Sequence, residues 1–151
     1  MIPNFEVVNG YSLIKQVHAI ISIAFLILAA WLIIRSILGI IKNNPYTGLD
    51  KFLSYAFLVN LYLQLIFGLI LFSNPNTSVD NNYSNAEGAL KMVSNRFWPI
   101  EHIVLMFFAL FIANLGLIFS IQSLIDKEKH RKILTYYVVS LIMIAVSLIA
   151  I

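Results

Sequence analysis

The sequence predicts an all-α integral membrane protein, a four-helix bundle with up-down-up-down topology, from its composition and from four long apolar segments. Hydrophobic residues make up 60% of the 151 positions and charged residues 11%, whereas a soluble domain is about 25% charged. The expected helices cover about residues 12–41, 51–73, 98–123 and 131–151. Each contains an apolar stretch near the roughly 20 residues that cross a bilayer core, where backbone polar groups have to be satisfied within a helix.

A single transmembrane domain, residues 1–151, is expected. The first apolar segment is predicted to be a retained span and not a cleaved signal peptide, because it is long and no basic flank precedes it. The chain contains no cysteine, which excludes disulfides, iron–sulfur clusters and covalently attached haem. No phosphate-binding glycine loop or nucleophile elbow is present, so we expect no enzyme activity of the chain by itself. The net charge of +3 is spread over short loops and indicates topology, so we expect no nucleic-acid partner.

Two loops on one side of the predicted bundle contain seven of the ten Lys and Arg residues. These loops connect helices 1 and 2 and helices 3 and 4. The positive-inside rule therefore predicts that they are cytoplasmic and that both chain termini lie outside. On the outer side, residues of about 85–97 follow a capping box at Ser84 and have apolar residues at helical spacing, so we predict a short interfacial helix before helix 3.

Two histidines lie inside the predicted spans, where ionisable side chains are costly and usually functional. His18 follows Lys15 by three residues, and His102 follows Trp98 by four. Each histidine therefore lies roughly 4–6 Å farther along its helix, towards the membrane centre, than a residue expected at the interface. Because helices 1 and 3 run in the same direction, both imidazoles are expected at nearly the same depth, close to the outer surface.

Small residues share the helix faces of both histidines. Ser22 lies one turn after His18, and Ala109 lies two turns after His102. Because small residues let membrane helices approach each other, both imidazoles are expected to point into the bundle. Two such imidazoles match the axial ligation of one b-type haem, which would be bound without covalent attachment.

Further residues would complete this predicted haem site near the outer face. The propionates are expected to pair with basic side chains on that side. Glu101 could accept a hydrogen bond from the second ring nitrogen of a ligand. The iron ligands are predicted to be His18 and His102, and the cofactor-binding residues to be His18, His102, Lys15, Arg96, Ser22, Ala109 and Gln64.

Other interpretations of these residues stay open. The two histidines could form a different transition-metal site, a quinone site, or plain hydrogen bonds between helices, whereas zinc would require four ligands. On helix 2, Asn60, Gln64 and Gly68 form a stripe at i, i+4, i+8. That stripe fits interhelical hydrogen bonding as well as contact with a cofactor or quinone.

Two features near helix 4 are expected to be structural. His130 lies in the basic segment before that helix and is predicted to be a solvated loop residue. A mildly polar stripe along helix 4 is predicted to serve packing, and its members are Tyr136, Ser140, Met143 and Ser147.

The chain resembles small four-helix membrane proteins of Bacteroidota-type bacteria that are described as cytochrome b-like. The similarity lies in the Arg-x4-Glu-His motif that ends at His102, in the Gln-x3-Gly motif that begins at Gln64, in the early His18, and in Lys129-His130 before helix 4. Relatives often have a histidine where this chain has Tyr62, and they often end in a Pro-Trp pair that is absent here. The resemblance implies a membrane haem or redox role.

The leading expectation is a membrane-embedded b-type haem protein with one bis-histidine haem, which passes single electrons. The expected location is the bacterial inner membrane. The expected partners are the lipid bilayer and other membrane subunits or further copies of the chain, and a quinone is an additional candidate. The alternative is a non-catalytic accessory subunit of a larger membrane complex. A third reading is a transporter or proton path that uses Glu101, Asn60 and Gln64.

Overall fold

Four helices make up the described part of the chain. They are α1 (Gly10–Ile41), α2 (Gly48–Ser73), α3 (Ala86–Gln122) and α4 (Asp126–Ile149). The computed structural model describes residues 10–73 and 86–149, without the side chains of Tyr11 and of residues 86–98. Each helix contains a segment long and apolar enough to cross a membrane. The predicted all-α bundle of four membrane-spanning helices is therefore confirmed.

All four helices begin earlier than the sequence indicated. α2 begins at Gly48, and α4 begins at Asp126, where we expected a charged loop. Acidic residues in the first turn of α4 interact favourably with the helix dipole. Ion pairs at i, i+3 spacing, Asp126 with Lys129 and Glu128 with Arg131, then link successive turns.

α3 is one continuous helix from Ala86, with Pro99 inside it. The segment predicted as a separate interfacial helix, about residues 85–97, is thus the first part of α3 except for residue 85, which lies outside the described residues. The capping box expected at Ser84 also lies outside them. A proline removes one backbone donor from a helix, yet the helix continues past it.

The helices occupy the corners of a square. α1 packs against α2 and α4, and α3 packs against the same two helices, with its most extensive contact on α4. α1 and α3 are therefore diagonal partners. This arrangement matters for function because the two predicted ligand histidines come from the two helices of one diagonal.

The described core contains a stack of aromatic rings that crosses the other diagonal. Phe57 of α2 stacks on Tyr137 of α4, with ring centroids 4.3 Å apart, and Phe25 of α1 lies 4.8 Å from Phe57. The Tyr137 hydroxyl donates to the backbone carbonyl of Ser54 at 2.9 Å. The three rings thus fill the middle of the bundle, and the buried Tyr137 hydroxyl has a hydrogen-bond partner.

The outside of the bundle is apolar. Large side chains such as Ile27, Phe107 and Ile142 are more than half exposed. A soluble monomer rarely presents contiguous apolar surface of this extent, whereas lipid tails solvate it without cost. This surface is what a multi-pass membrane protein requires.

The end of the bundle that holds the α1–α2 and α3–α4 connections, here called the two-loop end, has well-defined helix termini. Asn43, two residues after the end of α1, has a left-handed φ of 50°, and the Asn44 amide donates to the Gly39 carbonyl at 3.1 Å. This is a Schellman closure. At the start of α2, the Asp50 carboxylate accepts from the Thr47 amide at 2.8 Å and from Arg35 Nε at 2.7 Å.

His130 is buried at the two-loop end, with 2% of its surface exposed. The prediction of a solvated loop residue was wrong, because α4 begins four residues before it and turns its ring towards α1. The ring lies against Gly39 and beside Tyr46, whose ring centroid is 5.0 Å away. Burial raises the pKa of the Tyr46 hydroxyl, which bonds with Ser54 at 3.0 Å.

Gly39→Ala should destabilise the bundle, because the new Cβ would lie 2.5 Å from Cδ2 and Nε2 of the buried His130 ring. Overpacking of this kind costs about 1–3 kcal/mol. The free energy of unfolding in mixed detergent micelles, followed by circular dichroism, measures the effect.

Gly68→Ala is the matched control, since a Cβ at Gly68 meets nothing within 4 Å. It should leave the stability unchanged or raise it by about 0.5–1 kcal/mol through lower chain entropy. Equal effects of the two substitutions would show that His130 does not occupy the space beside Gly39.

Arg35→Met should also destabilise, because it leaves the Asp50 carboxylate, 5% exposed, without its cation. A buried acceptor deprived of a partner costs about 1–3 kcal/mol. Arg131→Met removes a cation from an exposed pair with Glu128, for which about 0–1 kcal/mol is expected. The same unfolding assay compares the two variants. A larger loss of unfolding free energy in Arg131→Met than in Arg35→Met would contradict the stabilising role of the Arg35–Asp50 pair.

Candidate functional site

His18 lies on the α1 face that looks towards α2 and the bundle interior. Its ring is half-buried, and Nδ1 is buried without a hydrogen-bond partner among the described residues. The carbonyl of His18 accepts from the Ser22 hydroxyl at 2.8 Å. An unsatisfied buried polar atom is costly, so this nitrogen is a natural candidate for contact with a ligand.

Polar side chains of α2 approach α1 beside His18. Gln64 is 5% exposed, and its Oε1 lies 3.1 Å from Ser22 Oγ. One hydroxyl has one proton, and the shorter bond of Ser22 already uses it on the His18 carbonyl. If the oxygen and nitrogen of the Gln64 amide are exchanged by an amide flip, its NH2 group donates to Ser22 Oγ, and this contact has one donor and one acceptor. The amide oxygen of Gln64 is then left as a buried acceptor.

Asn60 adds a second α2 contact one turn away. Its Nδ2 donates to the Ile21 carbonyl at 3.4 Å, and its Oδ1 is buried without a partner in the described part of the chain. Asn60 and Gln64 thus contact α1, whereas a Cβ at Gly68, the third member of the stripe, would meet nothing within 4 Å. Part of the stripe makes interhelical hydrogen bonds, and part of its hydrogen-bonding capacity is unused.

His102 lies on α3 and contacts α4. Its Nδ1 lies 2.9 Å from the hydroxyl of Ser147, and that hydroxyl lies 2.6 Å from the Ile144 carbonyl. Ser147 is buried, so this contact is shielded from solvent. The pair ties the ring of His102 to a fixed point on the neighbouring helix.

The two histidines come from the two helices of the α1–α3 diagonal. Gly39 of α1 faces His130 of α4. The two helices are antiparallel, so Ser22, which is 17 residues before Gly39, lies level with Ser147, which is 17 residues after His130. By this register His18 lies about one turn, roughly 6 Å, farther from the two-loop end than Ser22 does.

The other predicted site residues have different surroundings. Lys15 is exposed, and the side chain of Arg96 lies outside the described residues. Ala109 is completely buried, and its carbonyl accepts from the Ser140 hydroxyl of α4. Glu101 is exposed, and it is Ser147 that contacts His102. Ala109 therefore belongs to the α3–α4 contact rather than to the surroundings of the rings.

Ser147 is the site residue that sequence reasoning missed. It belonged to the stripe on helix 4 that was predicted to serve packing, and Ser140 fits that prediction through its bond to Ala109. The sequence did contain a signal, namely the position of Ser147. It lies seven residues after Ser140, near the end of helix 4 that is farthest from the two basic loops. In an up-down bundle, that position lies at the same end as His102.

The donor set limits the metal chemistry that this site can support. In residues 10–73 and 86–149, no group of three or more His, Cys, Asp or Glu side chains is placed to hold a metal ion. Two imidazoles on opposite helices suit an ion whose remaining ligands come from a macrocycle. An unpartnered ring nitrogen on His18 and a hydrogen-bonded ring on His102 are compatible with that role.

In comparisons with known proteins, no family model, curated protein or solved structure matches this chain. The resemblance to cytochrome b-like membrane proteins stays a prediction.

Proposed function

We propose that the protein is a membrane-embedded b-type haem protein that transfers single electrons, with His18 and His102 as axial ligands of one haem. The observation that supports this most is the buried Nδ1 of His18, which has no hydrogen-bond partner among the described residues and lies on the helix diagonal to that of His102. Neutral imidazoles on two helices are a common way to hold haem iron.

The chain's own residues would bind and orient the group. Bound haem supplies a one-electron redox couple. His102 is held by Ser147 on α4, and His18 lies beside the Ser22–Gln64 contact between α1 and α2. All four helices would thus contribute residues near the site, and the contact with Ser147 would fix the His102 ring before the haem binds. Lys15 and Arg96 are the proposed partners of the propionates.

A second candidate function is that of an accessory subunit in a larger membrane complex. It is favoured by the hydrogen bond between the Tyr62 hydroxyl and the Asn114 side chain, 3.3 Å long, on the outer surface of α2 and α3. Polar groups on a membrane-exposed surface usually face another protein rather than lipid. A partner subunit or a second copy of the chain would cover this pair.

We also propose that the protein resides in a bacterial inner membrane with the two-loop end in the cytoplasm and both termini outside. The basic residues Lys42, Lys51 and Lys129 at the two-loop end support this orientation.

Purified protein supplied with haem should give a reduced-minus-oxidised absorption band typical of six-coordinate b-type haem. His18→Gln and His102→Gln should each remove it or change it to a five-coordinate spectrum, because each removes one axial nitrogen.

His130→Gln is the control, since His130 lies at the two-loop end. It should keep the band while circular dichroism confirms the helical content. A wild-type protein with no band, or a band unaffected by both site substitutions, would refute the proposal.

Orientation can be tested with single cysteines, because the chain has none of its own. In intact spheroplasts, a membrane-impermeant maleimide should label Ser12→Cys but should label Lys127→Cys only after permeabilisation. The reverse labelling pattern would place the two-loop end outside.

A further inference from the structure

We infer that Ser147 is a positioning residue, which holds His102 in the tautomer that carries its proton on Nδ1 and leaves Nε2 as the basic nitrogen. The geometry of one serine hydroxyl between two neighbours supports this inference. Its consequence for a bound iron rests on the proposed function, whereas the tautomer itself does not.

The position of the Ser147 hydroxyl proton decides the direction of the contact. Oγ of Ser147 lies 2.6 Å from the carbonyl oxygen of Ile144. Two oxygens at that distance repel unless a proton lies between them, and 2.5–3.0 Å is roughly the range of O–H···O hydrogen bonds. The hydroxyl therefore donates to Ile144.

The bond to His102 has to run the other way. Since Ser147 has already used its only proton, its oxygen accepts at 2.9 Å from Nδ1 of His102. Nδ1 consequently carries a hydrogen. In a neutral imidazole the other nitrogen, Nε2, then has the lone pair, and the hydrogen bond made by one nitrogen sets the tautomer of the ring.

The location of Ser147 makes this control robust. It is buried on α4, and a serine that bonds back to its own helix has a fixed rotamer. Water does not compete for the hydroxyl. α4 thus determines which nitrogen of an α3 side chain is basic, and ligating histidines are commonly oriented through such a bond on their second nitrogen.

A first experiment uses full-length protein labelled with ¹⁵N-histidine in detergent micelles without haem. The chain has three histidines, and the signals of His102 are those absent from a His102→Gln sample. Wild-type His102 should show a protonated Nδ1 and an unprotonated Nε2. Ser147→Ala should shift the proton towards Nε2, and Ser147→Thr should restore the wild-type pattern because it keeps the hydroxyl.

Ser140→Ala is the matched control. Ser140 is another buried serine on α4 that bonds to α3, but its partner is the Ala109 carbonyl. Its loss should leave the His102 signals unchanged. A wild-type proton on Nε2, or an unchanged tautomer in Ser147→Ala, would overturn the inference even if a variant folds poorly, since the wild-type spectrum is decisive by itself.

A second experiment separates this inference from the proposed function. In haem-loaded protein, Ser147→Ala should raise the midpoint potential relative to wild type, because a ligand without its acceptor is less basic and stabilises ferric iron less. Ser147→Thr and Ser140→Ala should match wild type. An unchanged potential in Ser147→Ala would count against the positioning role. A chain that binds no haem but shows the expected tautomers would refute the haem function alone.

Discussion

Close contact between α3 and α4 is the constraint on which the rest of the bundle depends. Lipid tails are as apolar as leucine, so helices in a membrane associate through close packing and hydrogen bonds rather than through the hydrophobic effect. Gly116 leaves space that the Tyr136 side chain fills. Ser140 bonds to the Ala109 carbonyl, and Ser120 bonds to the Lys129 carbonyl at 3.2 Å. These contacts, one turn or two apart, determine the register of the two helices.

That register also accounts for the site. Ser140 of α4 pairs with Ala109 of α3. Because the helices are antiparallel, Ser147, seven residues after Ser140, lies level with His102, seven residues before Ala109. The contact of Ser147 with His102 is therefore the last member of the same series. A change in the α3–α4 register by one residue would move the hydroxyl away from the imidazole, so helix packing and the state of the proposed ligand are coupled.

The two ends of the bundle have different polar chemistry. At the two-loop end, the Asp50 carboxylate accepts hydrogen bonds from Arg35 and Thr47, and the Schellman closure gives the Gly39 carbonyl a partner. At the opposite end, His18 and Gln64 retain buried hydrogen-bonding capacity without described partners. A stable membrane bundle rarely leaves such groups unmatched, which is why the function is proposed there. At the two-loop end both ring nitrogens of His130 are also buried without a described partner, and its ring lies against Gly39 and beside Tyr46. The other two histidines of the chain lie at the opposite end of the bundle, so His130 has no second imidazole to pair with.

The amino-acid sequence by itself determined the four-helix membrane architecture and the candidate histidines, because long uncharged apolar segments have only one stable state in lipid. It also indicated that the stripe of Asn60 and Gln64 faces another helix. Only the tertiary structure decided the surroundings of His130, the start of α4 at Asp126 and the partner of His102. These depend on which residues of two separate helices lie at one level, and helical periodicity gives the face of a residue but not its register against a neighbour.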